Sequence, residues 1–204
     1  MTRQVLMAGK PLAEAKAAMI LIHGRGATAH DIMELGPLLG DEKFAYLAPQ
    51  AANNTWYPFS FLVPLSNNEP SLSLALQTVG DLVTQVEAAG IPASNIILAG
   101  FSQGACLVSE FAARNARRYG GLLVFSGGLI GPPGTPRDYP GSFDGTPVFI
   151  GCSDIDPHIP LARVRETTEA FSALGAQVTE KIYPGMAHTV IQDELDQARK
   201  MIHV

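Results

Sequence analysis

Residues 95–108 read N-I-I-L-A-G-F-S-Q-G-A-C-L-V, and they are the most informative segment of the chain for its fold. It opens with an apolar run over 96–99, which is typical of a strand buried on both faces. A G-x-S-x-G pattern centred on Ser102 follows, and a helix-forming segment comes next. In this context the pattern predicts a sharp turn that lifts a nucleophilic serine hydroxyl above the sheet. The alternative is a glycine-rich turn whose serine has no chemical role.

The composition indicates one globular domain over residues 1–204. The chain is 47% hydrophobic and 16% charged, which suffices for a full core. Its net charge is −5, and its main basic group is Arg114, Arg117 and Arg118. That group falls where the helix after Ser102 is expected to end, so we interpret it as complementing the helix dipole. We therefore expect no nucleic-acid partner.

The apolar runs also bear on location. No run is long enough for a signal peptide or a membrane span, so we expect no stable membrane insertion and a cytoplasmic protein. Cys106 and Cys152 form no C-x-x-C pair and lie in apolar contexts. Buried free thiols are the expected state of both.

Strand-like and helix-like segments alternate along the chain. Strands are predicted at 4–7, 17–22, 44–47, 96–99, 122–125, 147–150 and 178–183, and helices at 31–39, 71–89, 105–118, 161–174 and 190–202. Without repeats or a linker, this order predicts an α/β fold with a single doubly wound, mostly parallel sheet and helices on both faces. The Pro/Gly-rich connection over 129–145 is too short for a cap domain.

Unusual polar residues follow several of these strands, where ligand sites of such sheets lie. They are the turn His23-Gly24-Arg25, then Ser102, the pair Asp154 and Asp156, and His188. A serine hydroxyl needs a base to remove its proton, and the base needs an orienting acid. The order Ser…Asp…His fits an acid after a later strand and a histidine after the last one.

His188 is the predicted base because it follows the last strand, in a loop that contains Gly185. His158, beside the acidic loop, is its competitor. His30 and His203 are expected to be solvated, since neither lies near the end of the last strand.

Asp156 is preferred to Asp154 as the acid, because Pro157 holds the backbone of the preceding residue extended. Asp154 is better suited to a turn that binds its own backbone. Asp154, Asp156 and His158 could also bind a metal ion. Their spacing matches no common ligand pattern, so we expect neither a metal nor a cofactor.

The charge that develops on a tetrahedral intermediate needs hydrogen-bond donors already in place. The backbone N–H of Gln103 is one predicted donor, because it lies at a helix N-terminus. The second is expected from the turn after the 17–22 strand, from Arg25 or Gly24. The Arg25 side chain lies at the mouth of the site or pairs with an acid, and the sequence leaves both open.

A long aromatic loop over 50–70 is the remaining candidate part of the site, since loops of that length in compact domains are usually functional. It is expected to build the acyl pocket or, alternatively, to pack on itself. The candidate substrate-binding residues are Trp56, Tyr57, Phe59 and Phe61. Ser71 is expected to cap the next helix, and Glu69 is a second candidate for capping it.

Four motifs together resemble the phospholipase/carboxylesterase group of α/β-hydrolases. They are His23-Gly24-x-Gly26, Gly100-Phe101-Ser102-Gln103-Gly104, Asp154-x-Asp156-Pro157 and Gly185-x-x-His188. The resemblance runs from about Ala17 to the C-terminus and implies an α/β-hydrolase fold. It implies Ser102 as nucleophile, Asp156 as acid and His188 as base, with Arg25 and Gln103 as oxyanion donors.

Thioesterase members of the group carry an apolar residue where this chain has Arg25, which favours a bacterial-type carboxylesterase. The expected substrate is a small molecule, a short-to-medium acyl or aryl ester. Lysophospholipase or acyl-thioesterase activity is the alternative among enzymes. A catalytically silent small-molecule binding protein is the alternative from another class, and a homodimer stays open.

Overall fold

The computed structural model describes residues 4–202 and contains one seven-stranded sheet. The strands are β1 (Val5–Gly9), β2 (Ala17–Ile22), β3 (Phe44–Pro49), β4 (Ile96–Phe101), β5 (Gly121–Phe125), β6 (Pro147–Ser153) and β7 (Gln177–Tyr183). Their spatial order is β1-β3-β2-β4-β5-β6-β7. β1 is antiparallel to β3, and every other neighbouring pair is parallel. His203, which is predicted to be solvated, lies outside the described residues.

Helices cover both faces of this sheet. They are α1 (Ala29–Met33), α2 (Gly36–Leu39), α3 (Ser71–Ala88), α4 (Gln103–Arg114), α5 (Leu161–Ala173) and α6 (Gln192–Met201). Within β2, Ile20 and Ile22 join the core that packs against α3, α4 and α5, whereas Met19 and Leu21 join the core that packs against α1, α2 and α6. The predicted doubly wound fold is confirmed, and the described residues include no cap domain.

The predicted helix over 31–39 is wrong in its extent, because the segment forms two short helices. Thr28 caps α1: its Oγ accepts from the Asp31 N–H, and the Asp31 carboxylate accepts from the Thr28 N–H. Pro37 lies at the start of α2. A proline has no N–H for an intrahelical bond, so a continuous helix cannot pass through it without a break.

The helix after Ser102 is shorter than predicted, since α4 ends at Arg114. Asn115 stops it by donating its side-chain amide to the Phe111 carbonyl, at 2.9 Å. Arg117 and Arg118 lie beyond the helix and bind other segments. The interpretation of these two arginines as partners of the helix end is therefore wrong.

The predicted cap of α3 at Ser71 is also wrong. Pro70 precedes this helix, and no side chain caps it from that position. The Glu69 carboxylate instead accepts from the N–H and the hydroxyl of Ser73, at 3.1 and 2.9 Å. Glu69 thus has the capping role that the sequence suggested for it.

The turn at Ser102 is tightly packed on both sides. Ser102 has φ 54° and ψ −119°, a strained conformation for a residue with a side chain. A Cβ at Gly100 would lie 2.6 Å from the Gly104 backbone, and a Cβ at Gly104 would overlap the Ile22 carbonyl oxygen. These contacts explain why the pattern has glycine on either side of the serine.

Gly104→Ala is expected to lower the free energy of unfolding by roughly 2 kcal/mol or more, because the new methyl group displaces β2 or α4. Urea unfolding followed by circular dichroism measures the change. Gly80→Ala is the matched control in α3, where the new Cβ would meet the Phe111 ring at an ordinary 3.4 Å. That variant should be as stable as the parent or more so. Equal midpoints for Gly104→Ala and the parent would contradict the tight packing.

Candidate active site

Ser102, His188 and Asp156 meet at the carboxyl edge of the sheet. Ser102 lies between β4 and α4, Asp156 follows β6, and His188 follows β7. His188 Nε2 lies 2.8 Å from Ser102 Oγ, and His188 Nδ1 lies 2.7 Å from Asp156 Oδ2. A carboxylate beside Nδ1 favours the tautomer with its proton there. Nε2 is then free to accept the serine proton.

The Asp156 carboxylate is held in one orientation. Its side chain is fully buried, and Oδ1 accepts from the N–H groups of His158 and Ile159 at 2.8 and 3.0 Å. Burial favours the neutral acid, but the hydrogen bonds from His188 and these N–H groups outweigh burial and lower the pKa of Asp156. The group is therefore a carboxylate at neutral pH.

Asp154 and His158 lie near this line of groups without joining it. Asp154 accepts from the Gly185 N–H at 2.8 Å, so it ties the loop after β6 to the loop that carries His188, rather than binding its own backbone. The His158 ring packs edge-on against the His188 ring, with centroids 4.8 Å apart. Within residues 4–202, no three histidine, cysteine or acidic side chains are placed to share a metal ion.

The candidate oxyanion donors are backbone N–H groups from the start of α4 and from the turn after β2. Gln103 is the first residue of α4, so its N–H has no intrahelical acceptor. The turn after β2 abuts the serine, since a Cβ at Gly24 would lie 3.4 Å from the Ser102 Cβ. Gly26 and Ala27 donate to backbone carbonyls of the protein. Gly24 and Arg25 stay the candidates for a second donor toward a substrate oxygen.

The Arg25 guanidinium holds the aromatic loop instead of pairing with an acid. It donates to three successive carbonyls, those of Tyr57, Pro58 and Phe59, at 2.9, 2.9 and 2.8 Å. A planar guanidinium can reach several acceptors at once. The turn that contains the candidate oxyanion donor is thus bound directly to one wall of the site.

The Gln103 side chain binds the same loop, a role that the sequence pattern did not predict. Its Oε1 accepts from the Trp56 N–H, and its Nε2 donates to the Tyr57 carbonyl, both at 2.9 Å. The Tyr57 carbonyl therefore receives bonds from both Gln103 and Arg25. This role follows from the burial of Gln103, because a buried side-chain amide must find hydrogen-bond partners.

Trp56 is buried behind the wall of the site and does not line the cavity. Its indole N–H donates to the His23 carbonyl at 2.8 Å, and its ring lies 5.0 Å from the His23 ring. Burial lowers the pKa of His23, which is therefore neutral. The His23 ring lies between the Gly24 carbonyl and the Ala51 N–H. Trp56 thus anchors the loop in the core that packs against α3, α4 and α5.

A cavity of about 440 Å³ opens above Ser102. Of the four predicted substrate-binding residues, Tyr57, Phe59 and Phe61 line it. Tyr57 and Phe61 are buried, whereas Phe59 is 57% exposed and lies at the rim. Gln103, Cys106, His158, Ile159 and His188 also contribute to the lining.

Comparisons with known proteins identify the family of the chain. A family model described as Phospholipase/Carboxylesterase matches residues 6–204. The chain belongs to the phospholipase/carboxylesterase family. Its structure superposes on that of a phospholipase/carboxylesterase from Dyadobacter fermentans with a TM-score of 0.95 and 46% identity, over 98% of this chain and 96% of that one.

Curated relatives of this family member are acyl-protein thioesterases 1. The protein from Eremothecium gossypii is 28% identical over 92% of this chain and 87% of its own length. The protein from Gibberella zeae is 30% identical, but the match covers 64% of this chain and only 57% of that relative. The chain is accordingly an enzyme of the serine hydrolase class with the α/β-hydrolase fold.

The structure also bears on the two cysteines and on the length of the apolar helices. Cys106 and Cys152 are both buried and free. Among residues 4–202, no helix combines the length and the apolar character that crossing a membrane requires.

A buried carboxyl group lies behind the loop that carries His188. The Glu194 side chain is at the start of α6, and its Oε2 accepts from the Ile191 N–H at 3.0 Å. Its Oε1 has no hydrogen-bond partner within the described part of the chain. Burial raises the pKa of Glu194 to about 7. The acidic sequence of α6 gave no sign of it, because exposed and buried glutamates look alike in such a helix.

Arg25→Ala is expected to loosen the aromatic loop, because it removes three hydrogen bonds to the carbonyls of this loop. The chain has one tryptophan, Trp56, so acrylamide quenching of its fluorescence reports on this loop. Quenching should rise in Arg25→Ala and be only partly restored in Arg25→Lys, since an ammonium group lacks the planar fork. Unchanged quenching in Arg25→Ala would contradict the proposed hold on the loop.

Glu194→Gln is expected to change how stability depends on pH. The pKa of Glu194 is about 7 in the folded state and near 4.5 when unfolded, so the parent loses stability as pH rises between these values. The variant lacks this loss. Its unfolding free energy relative to the parent should therefore increase by roughly 2–3 kcal/mol between pH 5 and pH 8. Urea titrations at both pH values measure the difference.

The neighbouring Asp193→Asn serves as the control for this experiment. Hydrogen bonds from Tyr183 and Gln197 lower the pKa of Asp193, so its contribution to stability is present above the usual carboxyl pKa and lost in acid. Between pH 5 and pH 8 the unfolding free energy of this variant relative to the parent should therefore stay constant, because Asp193 titrates below this range. Equal behaviour of the two variants would contradict the burial of Glu194.

Proposed function

We propose that this family member hydrolyses short-to-medium acyl carboxylic esters, aryl esters included, through an acyl-enzyme on Ser102. The observation that carries this proposal is the unbroken line from Ser102 Oγ through the His188 ring to Asp156, with contacts of 2.8 and 2.7 Å. Its position beside a cavity of about 440 Å³ supports a small-molecule substrate.

In the first step, His188 Nε2 takes the Ser102 proton while Oγ attacks the ester carbonyl carbon. Asp156 stabilises the imidazolium that forms. The N–H of Gln103, with that of Arg25 or Gly24, binds the oxyanion of the tetrahedral intermediate. His188 then gives its proton to the alcohol oxygen, the alcohol leaves, and an acyl-serine ester is left. Water repeats the sequence and releases the acid.

The lining of the cavity favours a hydrocarbon acyl group. Tyr57, Phe61 and Ile159 are buried and present apolar surface, and the buried Cys106 thiol lies among them. Burial raises the pKa of Cys106 to about 12, so the thiol is neutral and behaves as an apolar group. With no cap domain among the described residues, the mouth is open to soluble esters.

Thioester hydrolysis is the second candidate, favoured by the acyl-protein thioesterases among the curated relatives. The same attack on a carbonyl carbon expels a thiolate instead of an alkoxide. Butyryl ester and butyryl thioester substrates with the same leaving-group skeleton separate the two activities. A higher kcat/KM on the thioester would replace the ester proposal with this one.

Ser102→Ala is expected to lower kcat on an aryl butyrate by about four powers of ten while the protein stays folded. A fluorophosphonate probe should label the parent at Ser102 and leave this variant unlabelled. A parent that neither labels nor turns over any ester would favour a catalytically silent binding protein.

His188→Ala should reduce turnover about as strongly as Ser102→Ala, because the two groups act as a unit. His158→Ala is the matched control: its ring touches His188 but is not part of the line to Ser102. We expect its loss to be tenfold or less. Equal losses in the two histidine variants would contradict the assignment of His188 as the base.

A further inference from the structure

A second cavity, of about 350 Å³, adjoins the one above Ser102. Gly24, Ala27, Phe101 and His188 line both cavities. Ser102 lines only the first. His188, which moves the proton in the proposed reaction, is thus among the residues that the two cavities share.

The walls of the second cavity differ from those of the first. The residues that line the second cavity alone come from just after β2, from α1 and the residues after it, and from the segment that follows His188. Ile32, Leu35 and Val190 supply apolar surface, and Asp31 supplies a carboxylate. Asp31 is the one acidic, lysine or arginine side chain among the lining residues of this cavity.

We propose that the second cavity binds the alcohol part of the substrate, and that Asp31 selects alcohols that are neutral or cationic over alcohols that are anionic. This proposal rests on the esterase function proposed above. It adds the chemical class of the leaving group, which the catalytic geometry alone leaves undefined.

The chemistry of the reaction assigns the two parts of the ester to the two cavities. The acyl carbon becomes bonded to Ser102 Oγ, so the acyl group occupies the cavity that contains this serine. The alcohol oxygen must come within hydrogen-bond reach of His188 Nε2 to receive its proton. The cavity that has His188 among its lining residues but lacks Ser102 is placed for the alcohol.

The charge of the second cavity is negative and uncompensated within its lining. Hydrogen bonds from the hydroxyl and the N–H of Thr28 hold Asp31 Oδ2, at 2.8 and 2.7 Å, and lower the pKa of Asp31. The carboxylate is therefore charged at neutral pH. His23, the other titratable lining residue besides His188, is neutral because burial lowers its pKa.

The effect of this charge on binding is modest because Asp31 is exposed to solvent. Between unit charges about 4 Å apart in water, the attraction changes binding by a factor of about five, and salt weakens it. An alcohol that carries a phosphate or sulfonate is thus disfavoured but not excluded. An alcohol with a quaternary ammonium group is favoured by a similar factor.

The test compares three butyrate esters that share the acyl group. Their alcohols are choline, its neutral isostere 3,3-dimethylbutanol, and 2-hydroxyethanesulfonate. In the parent, kcat/KM should be highest for the choline ester and lowest for the sulfonate. Asp31→Asn preserves the shape of the side chain and should reduce the choline-to-sulfonate ratio about fivefold or more. High salt should reduce the choline-to-sulfonate ratio in the parent but not in Asp31→Asn.

Asp41→Asn is the matched control, because Asp41 is another exposed carboxylate that accepts from a backbone N–H, at 2.8 Å, and it lies outside both cavities. It should leave the ratio unchanged. A ratio that is the same in Asp31→Asn and in the parent overturns the proposed charge selection. A parent that is inactive on all three esters, and on aryl esters, overturns the esterase function instead.

A second variant tests the position of the alcohol independently of charge. Leu35→Trp narrows the second cavity and should lower kcat/KM for the dimethylbutyl ester at least fivefold, with little effect on methyl butyrate. The rate of deacylation should not change, because the alcohol has left by then. Equal losses on both esters, or a slower deacylation alone, would overturn the assignment of this cavity.

Discussion

The close approach of α4 to the end of β2 is the constraint on which the site depends. Gly104 lies so near the Ile22 carbonyl that no side chain fits between the helix and the strand. Because of this approach, the turn at Ser102, which follows β4, packs against the turn at Gly24 and Arg25, which follows β2. The nucleophile and the backbone donors around it are therefore set by a contact within the fold and not by loop conformation alone.

The same contact brings two side chains onto one loop. The side chains of Gln103 and Arg25 both bind the Tyr57 carbonyl. Each residue thus has its side chain directed to the loop, while its backbone N–H is a candidate oxyanion donor. A displacement of the loop would therefore shift the candidate oxyanion donors. A displacement of those donors would in turn shift the wall of the cavity.

Much of this architecture could be predicted from sequence because the signals are local. The apolar runs predicted the strands, and the G-x-S-x-G pattern predicted the turn at Ser102. The break at Pro37 and the early end of α4 at Asn115 were missed, because periodicity outweighs single residues in such interpretations. Trp56 was wrongly predicted to line the cavity, because the sequence does not show whether an aromatic residue of a loop faces a cavity or is buried behind its wall. Asp31 and Glu194 could not be recognised at all, because their roles depend on the surfaces that α1 and α6 meet.

The parallel strands also separate the two edges of the sheet. Ser102, Asp156 and His188 all follow strands at the carboxyl edge, whereas the turn at Gly90, between α3 and β4, belongs to the opposite edge. Gly90 is exposed and has no atoms within 4 Å of where a side chain would begin. That turn is therefore the natural place to open the chain for circular permutation or to insert a reporter domain. New termini there would leave the chemistry undisturbed.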